Sequence, residues 1–152
     1  MALHAFIEHL KKDHEKQKKL GQQLVEADAP AEREQLRKAL YEALYPHMKG
    51  EEASIFPRLK RTDSDNDTFQ AREGLQEHHV ARVVLDELME LEPNSDVFSA
   101  KAKVLDEINR HHIEEEEEDV LERLEKICST EELDTLFQTY KTAEHAARNS
   151  RQ

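Results

Sequence analysis

The stretch HMKGEEASIFP, residues 47–57, sets a histidine and a glutamate four residues apart inside an otherwise helical pattern. Residues at i and i+4 stack on one helix face. His47 and Glu51 therefore offer an imidazole and a carboxylate from a single turn. The chain repeats the device in HHIEEEEEDVL, residues 111–121, where His112 and Glu116 have the same spacing. Eight and nine residues after each of these histidines comes an apolar pair, Ile55–Phe56 and Val120–Leu121. A further histidine precedes each: His14 lies 33 residues before His47, and His78 lies 34 before His112. The order is thus His, HxxxE, His, HxxxE, two similar halves.

Apolar periodicity around these residues predicts four long helices. With a helix advancing ~100° per residue, Leu3, Ile7, Leu10, Gly21 and Val25 fall near the direction of His14 in a first helix over residues 2–26. Leu36, Leu40, Ala43 and Glu51 share the face of His47 in a second, over about 31–61. There Pro46 should kink the helix and Pro57 distort its last turns. In a third, over about 68–92, Ala71, Leu85 and Met89 align with His78. His79 instead shares a mixed face with Arg72, Val83 and Asp86, so phase selects His78 as the inward residue. In a fourth, over about 96–128, Phe98, Leu105, Ile108 and Glu116 align with His112, and His111 is a third of a turn away. Ser129–Glu132 reads STEE, a capping box that starts a short fifth helix whose Leu133, Leu136, Phe137 and Tyr140 can pack on the others. The tail RNSRQ, residues 148–152, should fray. Short polar connections at 61–68 and 92–96 join the long helices, and no strand pattern competes. The expectation is an all-α chain: one domain, residues 1–152, holding an antiparallel up-down-up-down four-helix bundle over about 2–128 and a C-terminal helix over about 130–147.

Composition agrees and narrows the function. The 152 residues are rich in helix formers, with only three Gly and four Pro. A net charge of −12 argues against nucleic acid and against an anionic membrane surface as partners. No apolar run approaches a transmembrane length, and the opening MALHAFIEHLKKDH has charges throughout and no signal-peptide core. The single cysteine, Cys128, has no partner for an internal disulfide. A cytoplasmic location is the simplest expectation.

The bundle would turn His14, His47, Glu51, His78, His112 and Glu116 inward. Burying so many polar groups costs several kcal/mol when they lack partners. Singly, each has a plain explanation: an inward histidine is commonly a satisfied core residue, and a run such as EEEEED is commonly a solvated face. Glu114, Glu115, Glu117, Glu118 and Asp119 fit that description, as His4, His9, His79, His111 and His145 fit surface or rim positions. Four histidines in stripe phase, two with an i+4 glutamate, fit a metal centre better than a metal-free structural bundle. Mixed imidazole and carboxylate donors suit iron or manganese and also admit zinc. Two glutamates on facing helices can each bridge two ions.

The pattern resembles the hemerythrin-like, or HHE cation-binding, family. The matching residues are Asp13–His14, HMKGEEASIFP at 47–57, EHH at 77–79 and HHIEEEEEDVL at 111–121, spread over about residues 7–128. The resemblance implies a non-haem di-iron centre in a four-helix bundle. His14 and His47 would hold one iron and His78 and His112 the other, with Glu51 and Glu116 bridging. Two positions depart from the oxygen-carrying members. Arg82 stands four residues after His78, where they have a histidine, and the second bridging acid is Glu116, four residues after His112, where they have an aspartate at five. These departures point away from simple reversible oxygen carriage and leave metal binding intact. The expected function is binding or sensing of oxygen, iron or redox state through a small ligand such as dioxygen or peroxide. The competing expectation is an enzyme in which the centre reacts with peroxide, oxygen or ferrous iron.

Overall fold

A computed structural model describes residues 3–150. Residues 1–2 and 151–152 lie outside it, and with them the first residue of the expected opening helix and the end of the RNSRQ tail. Within the described residues the chain is helical, without strands. The helices are α1 (Ala5–Glu26), α2 (Pro30–Ala53), α3 (Ile55–Lys60), α4 (Asp65–Glu90), α5 (Phe98–Glu115), α6 (Leu121–Ile127) and α7 (Thr130–Asn149), with a five-residue π turn, Glu116–Val120, between α5 and α6. Among the described residues no helix is long and apolar enough to cross a membrane.

Local chemistry sets the helix ends. Pro30 opens α2, where its missing N–H costs nothing. Ser64 Oγ accepts from the Asp67 N–H at the start of α4, and Ser129 Oγ accepts from the Glu132 N–H at the start of α7. The STEE capping box is half used, because the Glu132 carboxylate accepts from Arg58 Nε at 2.5 Å. The second long helix breaks once. Pro57 has no N–H for the Ala53 carbonyl and its ring presses on that turn, so α2 stops at Ala53 and the backbone is distorted at Ser54 (φ −119°, ψ −73°), whose Oγ–H donates to the Gly50 carbonyl at 2.7 Å. At Pro46 the helix continues unbroken. The fourth long helix is interrupted only by the π turn.

The four rods α1, α2–α3, α4 and α5–α6 form a ring in which α1 meets α2 and α5, and α4 meets α2, α3 and α5. Cross-contacts fix the direction of neighbours. Gln17 reaches Ala43 and His47 reaches Asp13, so residue numbers fall along α2 as they rise along α1. Arg110 reaches Lys18 and Glu117 reaches His14, which runs α5 opposite to α1. The C-terminal helix is 20 residues long, nearly the length of α1, and lies along α2.

The core is divided in two. One apolar cluster contains Phe6, Ile7, Leu10, Ile55, Phe56, Val120, Leu121 and Tyr140. The other contains Leu24, Leu40, Leu44, Leu85, Phe98 and Leu105. Along every rod the candidate histidine falls between the two clusters. A polar belt therefore crosses the bundle, with Gln17 and Asn109 hydrogen-bonded beside it at 3.2 Å.

Candidate metal centre

Helical phase brings all six candidate ligands to this belt. His14, His47, Glu51, His78, His112 and Glu116 are buried, 0–7 % exposed. His79 and His111, one residue from a candidate in each case, are exposed.

The two carboxylates stand between two histidine pairs. Glu51 Oε2 lies 3.1 Å from His47 Nε2 and 3.8 Å from His14 Nε2, while its Oε1 lies 3.1 Å from His78 Nε2 and 3.9 Å from His112 Nε2. Glu116 Oε1 lies 3.3 Å from His14 Nε2, and its Oε2 lies 2.9 Å from His112 Nε2. Two groups of donors result, His14–His47–Glu51–Glu116 and Glu51–His78–His112–Glu116, which share both carboxylates. Four imidazole nitrogens and four carboxylate oxygens thus converge.

Several of these atoms meet no hydrogen-bonding partner. The Nε2 atoms of His14 and His47 and all four carboxylate oxygens of Glu51 and Glu116 are buried without a hydrogen bond, although they approach one another closely enough for charge attraction. Such groups are costly unless something satisfies them. A cation between them satisfies all six atoms, so the donor set fits a metal.

The outer nitrogen of each histidine is fixed by a carboxylate. The Nδ1–H of His14 donates to Glu117 at 2.7 Å, that of His47 to Asp13 at 3.0 Å, that of His78 to Glu52 at 2.9 Å and that of His112 to Glu77 at 2.7 Å. This arrangement leaves every Nε2 facing inward as a donor and makes each imidazole more basic. The four acids escaped helical-phase reasoning, which scores only the inward stripe. Each is the immediate sequence neighbour of a candidate ligand, and that adjacency was the available signal. Glu117 in particular lies in the acidic run expected to be a solvated face, yet it is half-buried against His14.

Tyr140 was also missed as part of the site. Its ring, 0 % exposed, comes from α7. The Tyr140 O–H donates to Asp13 Oδ2 at 2.9 Å, and its oxygen is 2.8 Å from His47 Nδ1. Gly50 makes this approach feasible, because a Cβ there would lie 2.5 Å from two Tyr140 ring carbons. Arg82 does not enter the centre. Its guanidinium lies over the Tyr45 ring and 3.9 Å from Glu52, so it adds no donor, and each group keeps two imidazoles and the two shared carboxylates.

The electrostatics follow from this packing. Burial disfavours the charged form of His47, but Glu51 and the Asp13 hydrogen bond outweigh it and raise the imidazole to about 9. His14 and His112 are likewise disfavoured by burial and driven well above the ordinary histidine value by Glu116 and their outer acids. Burial would raise Glu51, yet the surrounding imidazoles hold it well below the usual carboxylate range. The raised imidazoles favour carrying protons beside the carboxylates when no cation is bound. A cation held by these imidazoles would compete with such protons.

The family model described as hemerythrin HHE cation binding domain matches residues 5–124. No curated protein and no solved structure matches the chain. The matched span holds all six inward candidate ligands and their four outer acids, and it ends before α7.

Proposed function

The chain belongs to the hemerythrin HHE cation-binding domain family, and from that premise we propose that it is a non-haem di-iron protein that binds or senses a small ligand such as dioxygen or peroxide. One observation carries the reading. Two donor groups share both carboxylates, and six of their polar atoms are buried with no hydrogen bond. Two metal ions held by these residues, with Glu51 and Glu116 shared, would account for that geometry, and histidine with carboxylate is a donor set that iron accepts. Manganese and zinc fit the same donors and are the competing occupants.

Each residue has a part. His14 and His47 would hold one ion and His78 and His112 the other, with Glu51 and Glu116 spanning the pair. Asp13, Glu52, Glu77 and Glu117 keep the imidazoles turned and their Nδ1 atoms protonated. Iron bound there would supply one-electron chemistry and affinity for oxygen-derived ligands. The apolar clusters above and below keep bulk water from the belt.

With Arg82 turned outward, neither position gains a third imidazole, which favours reaction with the ligand over its reversible storage. Metal analysis of iron-loaded protein, with an absorption spectrum before and after air is admitted to the reduced form, tests both statements. Two irons per chain and a one-way change to the oxidised spectrum are expected. Less than one ion per chain overturns the di-iron reading. A spectrum that reverts under argon restores oxygen carriage.

A further inference from the structure

The two halves of the chain have corresponding positions beside the belt and fill them differently. In the first half His9 lies five residues before His14, Asp13 lies one before it, and Gly50 lies three after His47. α7 covers that corner, with the Tyr140 ring on Gly50 and its hydroxyl on Asp13. In the second half the corresponding positions are Glu73, Glu77 and Glu115. Among the described residues no helix takes the place of α7 there.

The uncovered corner holds a small cavity at the seam between α4 and α5. Its volume is about 20 Å³, on the order of one water molecule. Glu73, Glu77, Glu115, Glu116 and Asp119 line it, with no lysine or arginine among the lining residues. Two of these acids, Glu77 and Glu115, group with His111, so that one donor atom of each lies within 4.8 Å of the others. His111 Nε2 is 3.0 Å from Glu115 Oε1, and the His111 side chain is 67 % exposed. On the inner side Glu116 is 1 % exposed, and neither of its oxygens has a hydrogen bond. Glu115 Oε2 is likewise buried without one. Glu77 ties the two ends together, because it also accepts from the Nδ1–H of His112 at 2.7 Å.

Resting on the di-iron reading for the ion's destination, we propose that Glu77, His111 and Glu115 form a capture site for divalent cations, from which an ion passes along Glu115 and Glu116 into the centre. The chemistry selects the occupant. Carboxylate walls repel anions, and an acidic cleft concentrates cations and raises their on-rates by ~10–10³-fold. A divalent ion bonded to oxygen at about 2.0–2.6 Å needs no more room than a water. One imidazole with two carboxylates suits ferrous or manganous ion.

Manganous ion is the probe, since the free ion gives a paramagnetic resonance signal that the bound ion loses. Added to wild-type protein already filled with ferric iron, with iron content measured on every sample, it should reveal one further site per chain. Glu115→Gln and His111→Ala should each weaken that site ~10-fold or more, while Glu114→Gln, an exposed neighbour outside the group, should leave it unchanged. Metal-free Glu115→Gln should take up ferrous ion ~10-fold more slowly at low salt, reach the same final iron content, and approach the wild-type rate at high salt. Iron-filled wild type with no further manganous site, or with one that Glu115→Gln leaves at full strength, overturns the capture site and leaves the di-iron reading standing. Equal uptake rates at low salt overturn the passage. Should Glu115→Gln fail to fold by circular dichroism, His111→Ala decides in its place. Wild-type protein that takes up no iron removes the di-iron reading and the passage with it, and the iron assay separates that result from the others.

Discussion

At the scale of single residues, the centre depends on which atom of each histidine faces in, and that is decided by acids just outside it. Glu117 and Glu118 are adjacent in one acidic run, yet Glu117 accepts from His14 at 2.7 Å and Glu118 is exposed. Glu117→Ala should weaken metal binding by ~10–100-fold, the usual cost of losing such a partner, while Glu118→Ala should leave it unchanged; competition with a chelator of known affinity measures both. Proton balance gives a second expectation. His47 is raised from 6.5 to about 9 in the folded chain. A raised imidazole lends stability that is complete below its unfolded value and fades as pH climbs toward its folded one. Metal-free protein should therefore melt at a lower temperature at pH 9 than at pH 6.5. Glu51, held low, acts in the opposite sense and withdraws its contribution as pH falls through the acid range. Thermal melts of chelator-stripped protein across this range check the sign, and a Tm that rises from pH 6.5 to 9 contradicts it. The inward residues were legible in the sequence because phase within one helix suffices: His78 is buried and His79 exposed, as the apolar stripe requires. The outer acids were not, since each serves a histidine on a different helix and only its place beside a candidate ligand in sequence hints at that.

At the scale of elements, both HxxxE helices abandon regular geometry just after the glutamate. In an unbroken α-helix Leu121 would point about 180° away from His112, yet both are buried. The π turn Glu116–Val120 absorbs the difference by inserting a residue, a device that recurs at functional sites. In the first half Pro57 achieves a similar shift with a break at Ser54. The break could be anticipated from the proline. The π turn has no such marker, because it answers a packing demand from other helices, and the fourth rod was accordingly expected to run straight. The C-terminal helix was foreseen as a packing element, and Leu133 and Leu136 do pack in the core. Its delivery of Tyr140 to His47 depends on Gly50, whose significance lies in the tertiary fit alone. Gly50→Ala should push the Tyr140 ring off α2 and cost about 1–3 kcal/mol, the range for overpacking a filled core. A Tm equal to that of the wild type in the metal-free state would show that α7 sits less tightly on α2 than described.

For the whole molecule, the bundle was legible from periodicity and loop spacing, while the split of its core into two apolar clusters emerges only once four stripes are stacked. If the polar belt between those clusters holds a metal as proposed, it couples folding to metal. A cation held only by the native state stabilises it by mass action, about 2.7 kcal/mol when free metal is a hundred times its dissociation constant. Stripping the metal should lower Tm by several degrees and re-addition should restore it, as calorimetry on the same sample can follow; identical melts after verified removal would sever metal from stability. The belt also does something that neither stability nor chemistry describes. Apolar helix faces tolerate sliding, since one leucine replaces another at little cost. Here, slipping any rod by one turn, about 5.4 Å, would carry its histidine out of the belt and into leucine and phenylalanine, and would leave the carboxylates without partners. The six buried histidines and glutamates therefore act as an alignment mark that selects one axial register for the four helices among several of similar apolar burial.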